Sequence, residues 1–212
     1  MTVLVIGANG GIGKRFCRLA AETDVPVRAM VRDPSQEGYF RELGLDTVSA
    51  DLEEADLSRV FEGCRQVIFT AGSGPHTGPD KTLLVDLYGA IRAADYAVEQ
   101  GLERFLMVSA LRADAPLQAP EKLRPYMAAK FAADHYLMHA GVPWLILKPG
   151  RLTDEAGTGC IALDPEPGGS ITVSRDNVAA VLLAVIRRPQ LHEQELRFVD
   201  GAGEIEEALP LG

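Results

Sequence analysis

The sequence predicts an α/β fold, a doubly wound and mostly parallel β-sheet with helices on both faces, in a single domain over residues 1–212. Three observations predict it. A short apolar strand runs directly into spaced glycines and then into an amphipathic helix. Strand-length apolar runs alternate with helical periodicities along the chain, the pattern of a sheet covered on both sides. No linker interrupts the 212 residues, and 47% apolar content suffices for one core.

The opening carries the most information. Residues 3–6 read as a buried strand, followed by Gly7, Ala8, Asn9, Gly10, Gly11, Ile12 and Gly13. Ile12, Phe16, Leu19 and Ala20 then share one helical face. Strand, glycine turn and helix in this order form a seat for a dinucleotide. Gly7 tolerates the backbone of a tight turn, a side chain at Gly10 would block a diphosphate, and Gly13 lets helix and strand approach. The helix start adds free N–H groups and partial positive charge. The spacing is G-x-x-G-x-x-G rather than the commoner G-x-G-x-x-G.

The remaining elements follow in order. Residues 25–32 alternate as a second strand, with Pro26 tolerable only at its start. Arg32 ends it where such folds place the adenosine ribose. An arginine there offers a planar fork to the 2′-phosphate of NADP, whereas an acid would hold the 2′-hydroxyl of NAD. NADP is the expected cofactor, and Asp33, directly after, keeps NAD possible. Lys14 and Arg15 add positive charge from the first helix. Residues 46–51 form a third strand ending at Asp51. Residues 52–62 suggest a short acidic helix with Leu57, Val60 and Phe61 inward. Residues 66–71 are a fourth strand, running into an irregular loop at 72–79 that leaves the sheet at the crevice where cofactor and substrate meet. His76 in this loop and Lys81 after it are candidate substrate or phosphate contacts.

Residues 80–100 predict a long helix with a buried stripe of Leu84, Leu87, Ile91, Ala94 and Val98, capped by Gly101. Residues 105–109 are a fifth strand that brings the Ser109 hydroxyl to the crevice edge. A connection at 112–120 is long enough for a lid. The helix at 123–140 carries Tyr126 and Lys130. A sixth strand at 144–148 ends in Pro149 and Gly150. Residues 151–170, rich in Gly, Pro, Asp and Glu, predict irregular structure, and 151–175 a small extension on the substrate side. A short strand at 171–173, a helix capped by Asp176 and bearing Val178, Val181, Leu182, Val185 and Ile186, and a strand at 196–199 complete the chain.

Tyr126 and Lys130 stand four residues apart and so share a helical face. A neighbouring ammonium favours phenolate and would lower the tyrosine pKa. Such a tyrosine exchanges a proton with a carbonyl oxygen as hydride moves. Ser109 would hold the same oxygen, and Lys130 the ribose beside the nicotinamide. Other chemistries fare worse. His135 and His139 have a zinc-compatible spacing but no third ligand, so no metal is expected. The net charge of −9 argues against nonspecific nucleic-acid binding. No apolar run reaches membrane-span length, and no signal peptide is recognised. Three widely spaced cysteines imply reduced thiols and a cytoplasmic location, with Cys17 and Cys64 as packing residues. A small-molecule substrate and a monomer or homodimer are expected.

These motifs together resemble the short-chain dehydrogenase/reductase superfamily. The chain is most similar to its small atypical members, related to biliverdin/flavin reductases and NmrA-like proteins. The resemblance rests on residues 7–13, Val31-Arg32, Ala50-Asp51-Leu52, residues 71–74, Val108-Ser109, Tyr126 with Lys130, residues 149–153 and residues 175–179. It implies a Rossmann-like fold and a catalytic set of Ser109, Tyr126 and Lys130. It places Asp51 and Leu52 against adenine, and Ala71, Gly72 and Ser73 along the adenosine and phosphate path. Pro149, Gly150, Arg151 and Leu152 would lie beside the nicotinamide. The expected activity is an NADP(H)-dependent oxidoreductase acting on a small organic acceptor. The alternatives are a redox-sensing binding protein without turnover and an epimerase-like isomerase that retains its NAD. Ala110 departs from the second serine often found after Ser109, and Asn9 from a frequent threonine.

Overall fold

The computed structural model describes residues 2–53, 56–74, 76–166 and 171–211. Its centre is a sheet whose strands lie in the order β3, β2, β1, β4, β5, β6, β10, β8, β11. The first seven are parallel: β3 (Asp46–Ser49), β2 (Val27–Val31), β1 (Thr2–Ile6), β4 (Cys64–Phe69), β5 (Arg104–Val108), β6 (Trp144–Pro149) and β10 (Gln194–Asp200). Two strands close one margin in antiparallel sense, β8 (Cys160–Leu163) and the two-residue β11 (Gly203–Glu204). The chain leaves β1 toward β2 on one side and returns to β4 on the other. That reversal opens a crevice beyond the carboxyl ends of these strands.

Val3 and Val5 project to one face and Leu4 and Ile6 to the other, as a period of two requires. The first face packs against α1 (Gly11–Glu22) and α7 (Arg175–Ile186) through Phe16, Ala20, Val181 and Val185. The second face is covered by α3 (Ser58–Phe61), α5 (Ala90–Glu99) and α6 (Arg124–His139). Phe61, Ala93, Ala97 and Leu137 pack there. Cys17 and Cys64 are buried packing residues, as expected, and burial pushes the Cys17 thiol up to about 12. Arg104 is fully buried on β5. It donates to Gln66 and to the carbonyls of Val185, Arg188 and Leu191, so it ties the sheet to the end of α7.

Several elements differ from expectation. A helix α2 (Glu37–Glu42) fills the connection before β3. Among the described residues of 52–62, only Ser58–Phe61 is helical, and residues 54 and 55 lie outside them. The segment at 80–100 comprises α4 (Pro79–Lys81), a π-helical stretch Thr82–Gly89 and α5. The wider turn shifts the predicted stripe: Ala94 is buried as expected, Leu84 and Val98 are exposed, and Thr82, Asp86, Gly89, Ala90, Ala93 and Ala97 face inward. Small residues win the inner face because they let the helix lie close to the sheet. The stretch at 151–170 is not irregular throughout. It holds β7 (Arg151–Thr153), which pairs in parallel with β9 (Thr172–Ser174), and β8. Residues 167–170 lie outside the described residues. Ser174, not Asp176, caps α7, its hydroxyl accepting from the Asn177 N–H at 3.0 Å.

Candidate functional site

Every parallel strand delivers its next residues to one edge. The registers Ile6–Phe69, Phe69–Met107 and Val108–Leu147 bring Gly7, Ala71, Ser109 and Pro149 to the same side. Gly7 has φ +88°, and a β-carbon there would lie 2.5 Å from the Ala71 nitrogen. Gly13 is equally constrained, since its β-carbon would come within 2.4 Å of the Gly7 carbonyl oxygen. Gly10 differs: a β-carbon would meet only that same oxygen, at 3.1 Å, with nothing else within 4 Å. The packing of the turn thus demands Gly7 and Gly13, while the space over Gly10 is open. No side chain caps α1, so its first N–H groups, from Gly11, Ile12 and Gly13, remain available to an anion. Asn9 is part-exposed in the same turn, and Ile12 anchors the helix in the core. A diphosphate fits this cradle.

Beyond β2, Arg32 is exposed and forms no ion pair among the described residues. Asp33 is committed elsewhere. Its Oδ1 accepts from the Ser35 N–H at 2.9 Å, and the hydrogen bonds to Ser35 hold its carboxyl below the usual range. The Lys14 ammonium lies over the Tyr39 ring on α2, 5.3 Å from its centroid. Asp51 Oδ1 accepts from the Glu53 N–H at 3.0 Å. Leu52 is buried against Gly89, and its carbonyl accepts from Arg92 at 2.6 Å. Its side chain is packed inside the protein and does not project from the surface as a contact to a base would. Lys81, expected near a phosphate or substrate, pairs instead with Glu53 at 2.7 Å. His76 is exposed in the loop after β4, and Pro75 lies outside the described residues.

The other end of the crevice is a buried polar column. The half-buried Tyr126 and the buried Lys130 and Asp134 succeed one another by four residues along α6. Asp86, turned inward by the π-helical stretch, faces the same column. Its Oδ2 accepts from the Ser73 N–H at 2.9 Å, and its Oδ1 lies 2.9 Å from where a β-carbon on Gly72 would sit. The Ser73 hydroxyl is 3.4 Å from that of Thr82. Lys130 is buried and has no hydrogen-bond or ion-pair partner among the described residues; its ammonium lies 5.9 Å from the Phe69 ring centroid. Burial lowers its pKa against the raising influence of Asp86 and Asp134.

Two expectations about catalysis are corrected here. Tyr126 is not shifted toward phenolate: burial, then the charges of Asp86 and Asp134, push its pKa up. Burial and the two carboxylates all disfavour the phenolate, so near neutral pH the group is an O–H donor. Ser109 is buried and donates its hydroxyl proton to Asp134 Oδ2 at 2.6 Å. That proton is unavailable to a substrate oxygen. Asp134 in turn lies 3.7 Å from the Lys148 ammonium, which also bonds Glu195 at 2.6 Å and Asp114. Burial raises the pKa of Asp134 despite these partners, and its Oδ1 is buried without a hydrogen bond.

Pro149 and its successors form the floor. The Pro149 carbonyl accepts from the Leu111 N–H at 2.9 Å, and Gly150 donates to the Phe198 carbonyl at 2.9 Å. A β-carbon on Gly150 would come within 2.4 Å of the Ile171 carbonyl oxygen. Arg151 is exposed, and Leu152 packs on the first core face. An apolar cavity of about 290 Å³, lined by Pro79, Leu83, Leu87, Pro125, Ala128 and Ala129, opens beside the start of α6. A cavity of about 510 Å³ near Thr2, Pro26 and Leu45 lies at the opposite, amino-terminal edge, away from the chemistry. Sequence reasoning missed Asp86, Asp134 and Lys148. A signal was present: Lys148 stands in an otherwise apolar strand, and Asp86 and Asp134 each stand four residues from a residue that faces inward, Thr82 and Lys130.

A parallel sheet with an open glycine cradle at its switch point defines a dinucleotide-binding Rossmann protein. The chain belongs to the NAD(P)H-binding family, whose model matches residues 7–189. It is 41% identical over 99% of both chains to a Bacillus subtilis protein named uncharacterized sugar epimerase YhfK. A solved structure described as a putative NAD-dependent epimerase/dehydratase from Bacillus halodurans superposes with a TM-score of 0.92 at 36% identity, covering 97% of each chain. The oxidoreductase YlbE from Lactococcus lactis shares the fold, with a TM-score of 0.86 at 24% identity over 98% and 94% of the two chains.

Proposed function

We propose that the protein is an NADP(H)-dependent oxidoreductase that transfers hydride to a small organic acceptor. The observation that carries this reading is the meeting, at one sheet edge, of an open diphosphate cradle with Tyr126 and a buried Lys130 that has no hydrogen-bond or ion-pair partner among the described residues. The coenzyme supplies hydride when bound. The cradle N–H groups hold its diphosphate, Arg32 its 2′-phosphate, and Lys130 a ribose hydroxyl. Tyr126 donates its O–H to the acceptor oxygen and stabilises the charge that develops there. Ser109, through Asp134, keeps α6 registered against β5. The apolar cavity beside Pro125 favours an acceptor with an apolar face. The relatives named epimerases motivate a second reading, an isomerase that retains its NAD.

The test is oxidation of NADPH and NADH with carbonyl, quinone and flavin acceptors, alongside calorimetry of both coenzymes. NADPH should bind more tightly, and Arg32→Gln should weaken NADPH by about tenfold while leaving NADH nearly unchanged. Equal loss for both coenzymes would remove Arg32 from 2′-phosphate recognition. Product epimerised without net coenzyme turnover would favour the isomerase.

A further inference from the structure

A second charged group overlooks the glycine turn. Arg175, the first residue of α7, extends across the start of α1: its Cδ lies 2.8 Å, and its Nε 3.0 Å, from where a β-carbon on Gly11 would sit. Gly11 carries one of the free N–H groups of the cradle. Arg175 is three-quarters shielded, yet among the described residues its guanidinium makes a single polar contact, Nη1 to Asp154 Oδ2 at 3.0 Å. Asp154 follows β7 directly and is 74% exposed. Its other oxygen takes a weaker contact from Arg15 Nη2 at 3.3 Å.

Arg15 is anchored independently. Its Nε donates to Asp176 Oδ1 at 2.7 Å and its Nη1 to the Gly11 carbonyl at 2.8 Å. Asp176 is itself fixed, accepting from the Gly157 N–H at 3.1 Å. Arg15 therefore stays in place whatever Asp154 does. Arg175 does not: an ion pair with so exposed a carboxylate stabilises little and exchanges readily. A diphosphate brings more charge and more acceptor oxygens, in the geometry that suits a guanidinium fork.

We infer that Arg175 is a ligand of the coenzyme diphosphate and that Asp154 is the internal anion holding it in place until the coenzyme arrives. The inference rests on the dinucleotide reading of the glycine turn. Binding exchanges one guanidinium partner for another. Asp154 is released to water, and β7 remains paired with β9. Asp154 is thus a competitor whose removal should tighten binding, although it touches no part of the coenzyme.

The experiment is calorimetry of NADPH, NADH and inorganic pyrophosphate with the wild-type chain, four single variants and one double variant. Arg175→Gln should weaken all three ligands by about tenfold, the loss of one charge-assisted contact. Arg175→Lys should fall between. Asp154→Asn should tighten all three by about threefold, a gain that shrinks as salt rises. Glu155→Gln removes the same charge one residue away, from a side chain with no ion pair among the described residues, so it should change affinity far less; equal gains from the two acids would reduce the effect to general electrostatics and overturn the exchange. Adding Asp154→Asn to Arg175→Gln should restore nothing. Wild-type affinity in Arg175→Gln, or weaker binding in Asp154→Asn, overturns the inference. A wild-type chain that binds neither coenzyme overturns the dinucleotide reading instead, and the pyrophosphate series then decides the role of Arg175 alone. Thermal melts of each variant separate lost binding from lost folding.

Discussion

At the scale of single residues, the site turns on which proton is free. Tyr126 keeps its proton because burial and two carboxylates oppose the phenolate. Tyr126→Phe should therefore lower kcat/KM for a carbonyl acceptor by about a hundredfold with coenzyme affinity unchanged. The wild-type rate should show no ionisation of the phenol between pH 6 and 9. Steady-state kinetics across that range checks both, and an undiminished Phe variant assigns the proton to water. Gly13→Ala tests the cradle itself. Its β-carbon would collide with the Gly7 carbonyl, a backbone atom with no room to retreat. A loss of about 1–3 kcal/mol in chemical denaturation is expected, together with weaker coenzyme binding. Gly10→Ala has space for the methyl and should lose binding with little loss of stability. The glycine seat was legible in the sequence because each position has one steric reason. The internal bonds of Ser109 were not, because its acceptor, Asp134, lies 25 residues further along and meets it only across the folded interface.

At the scale of elements, the π-helical stretch Thr82–Gly89 is the feature that sequence periodicity misassigns. A regular helix would bury Leu84 and Val98; the wider turn buries Asp86 and a row of small residues instead. No period of 3.6 announces such a turn, and an aspartate amid leucines reads as a solvated interruption. In the fold it holds the backbone of the loop after β4. Asp86→Ala should free the Ser73 N–H, speed its hydrogen exchange, and cost about 1–3 kcal/mol if the amide stays unpaired. Exchange rates at Ser73 equal to wild type would deny Asp86 this anchoring role. The strands β7 and β8 were hidden for a different reason. Glycine, proline and acidic residues depress strand propensity, and these short strands exist only through pairing with distant partners, β9 and β10.

At the scale of the whole molecule, one buried network joins sheet, helix and loop. Lys148, on β6, binds Asp114, Glu195 and Asp134 from three other segments. Burial disfavours its charge, but the hydrogen bonds to Asp114 and Glu195 and the charge of Asp134 prevail and raise its pKa. A folded-state pKa above the ordinary lysine value of 10.5 contributes stability that is complete below that value and is lost as pH rises through the folded pKa. Alkaline unfolding should thus steepen above the ordinary lysine range. Lys148→Met should abolish that limb and cost about 3–5 kcal/mol at neutral pH, since the buried Asp134 loses its counter-ion while Arg197 still pairs with Asp114 and Glu195. Denaturation midpoints measured from pH 7 to 11 decide the matter. The overall architecture was readable from alternation alone, because parallel strands buried on both faces cannot disguise their apolar runs.

The sheet order has one more consequence. One margin is β3, only four residues long, whose Asp46 is exposed and tied sideways to Arg28 at 2.6 Å. The other is β11, two residues including a glycine and a glutamate. Neither offers an incoming chain a long, bare ladder of amides to zip onto. Fibrillar growth by edge-to-edge strand addition therefore finds no long template at either margin of the main sheet among the described residues, so shelf life in concentrated solution depends on how rarely these flanks unravel.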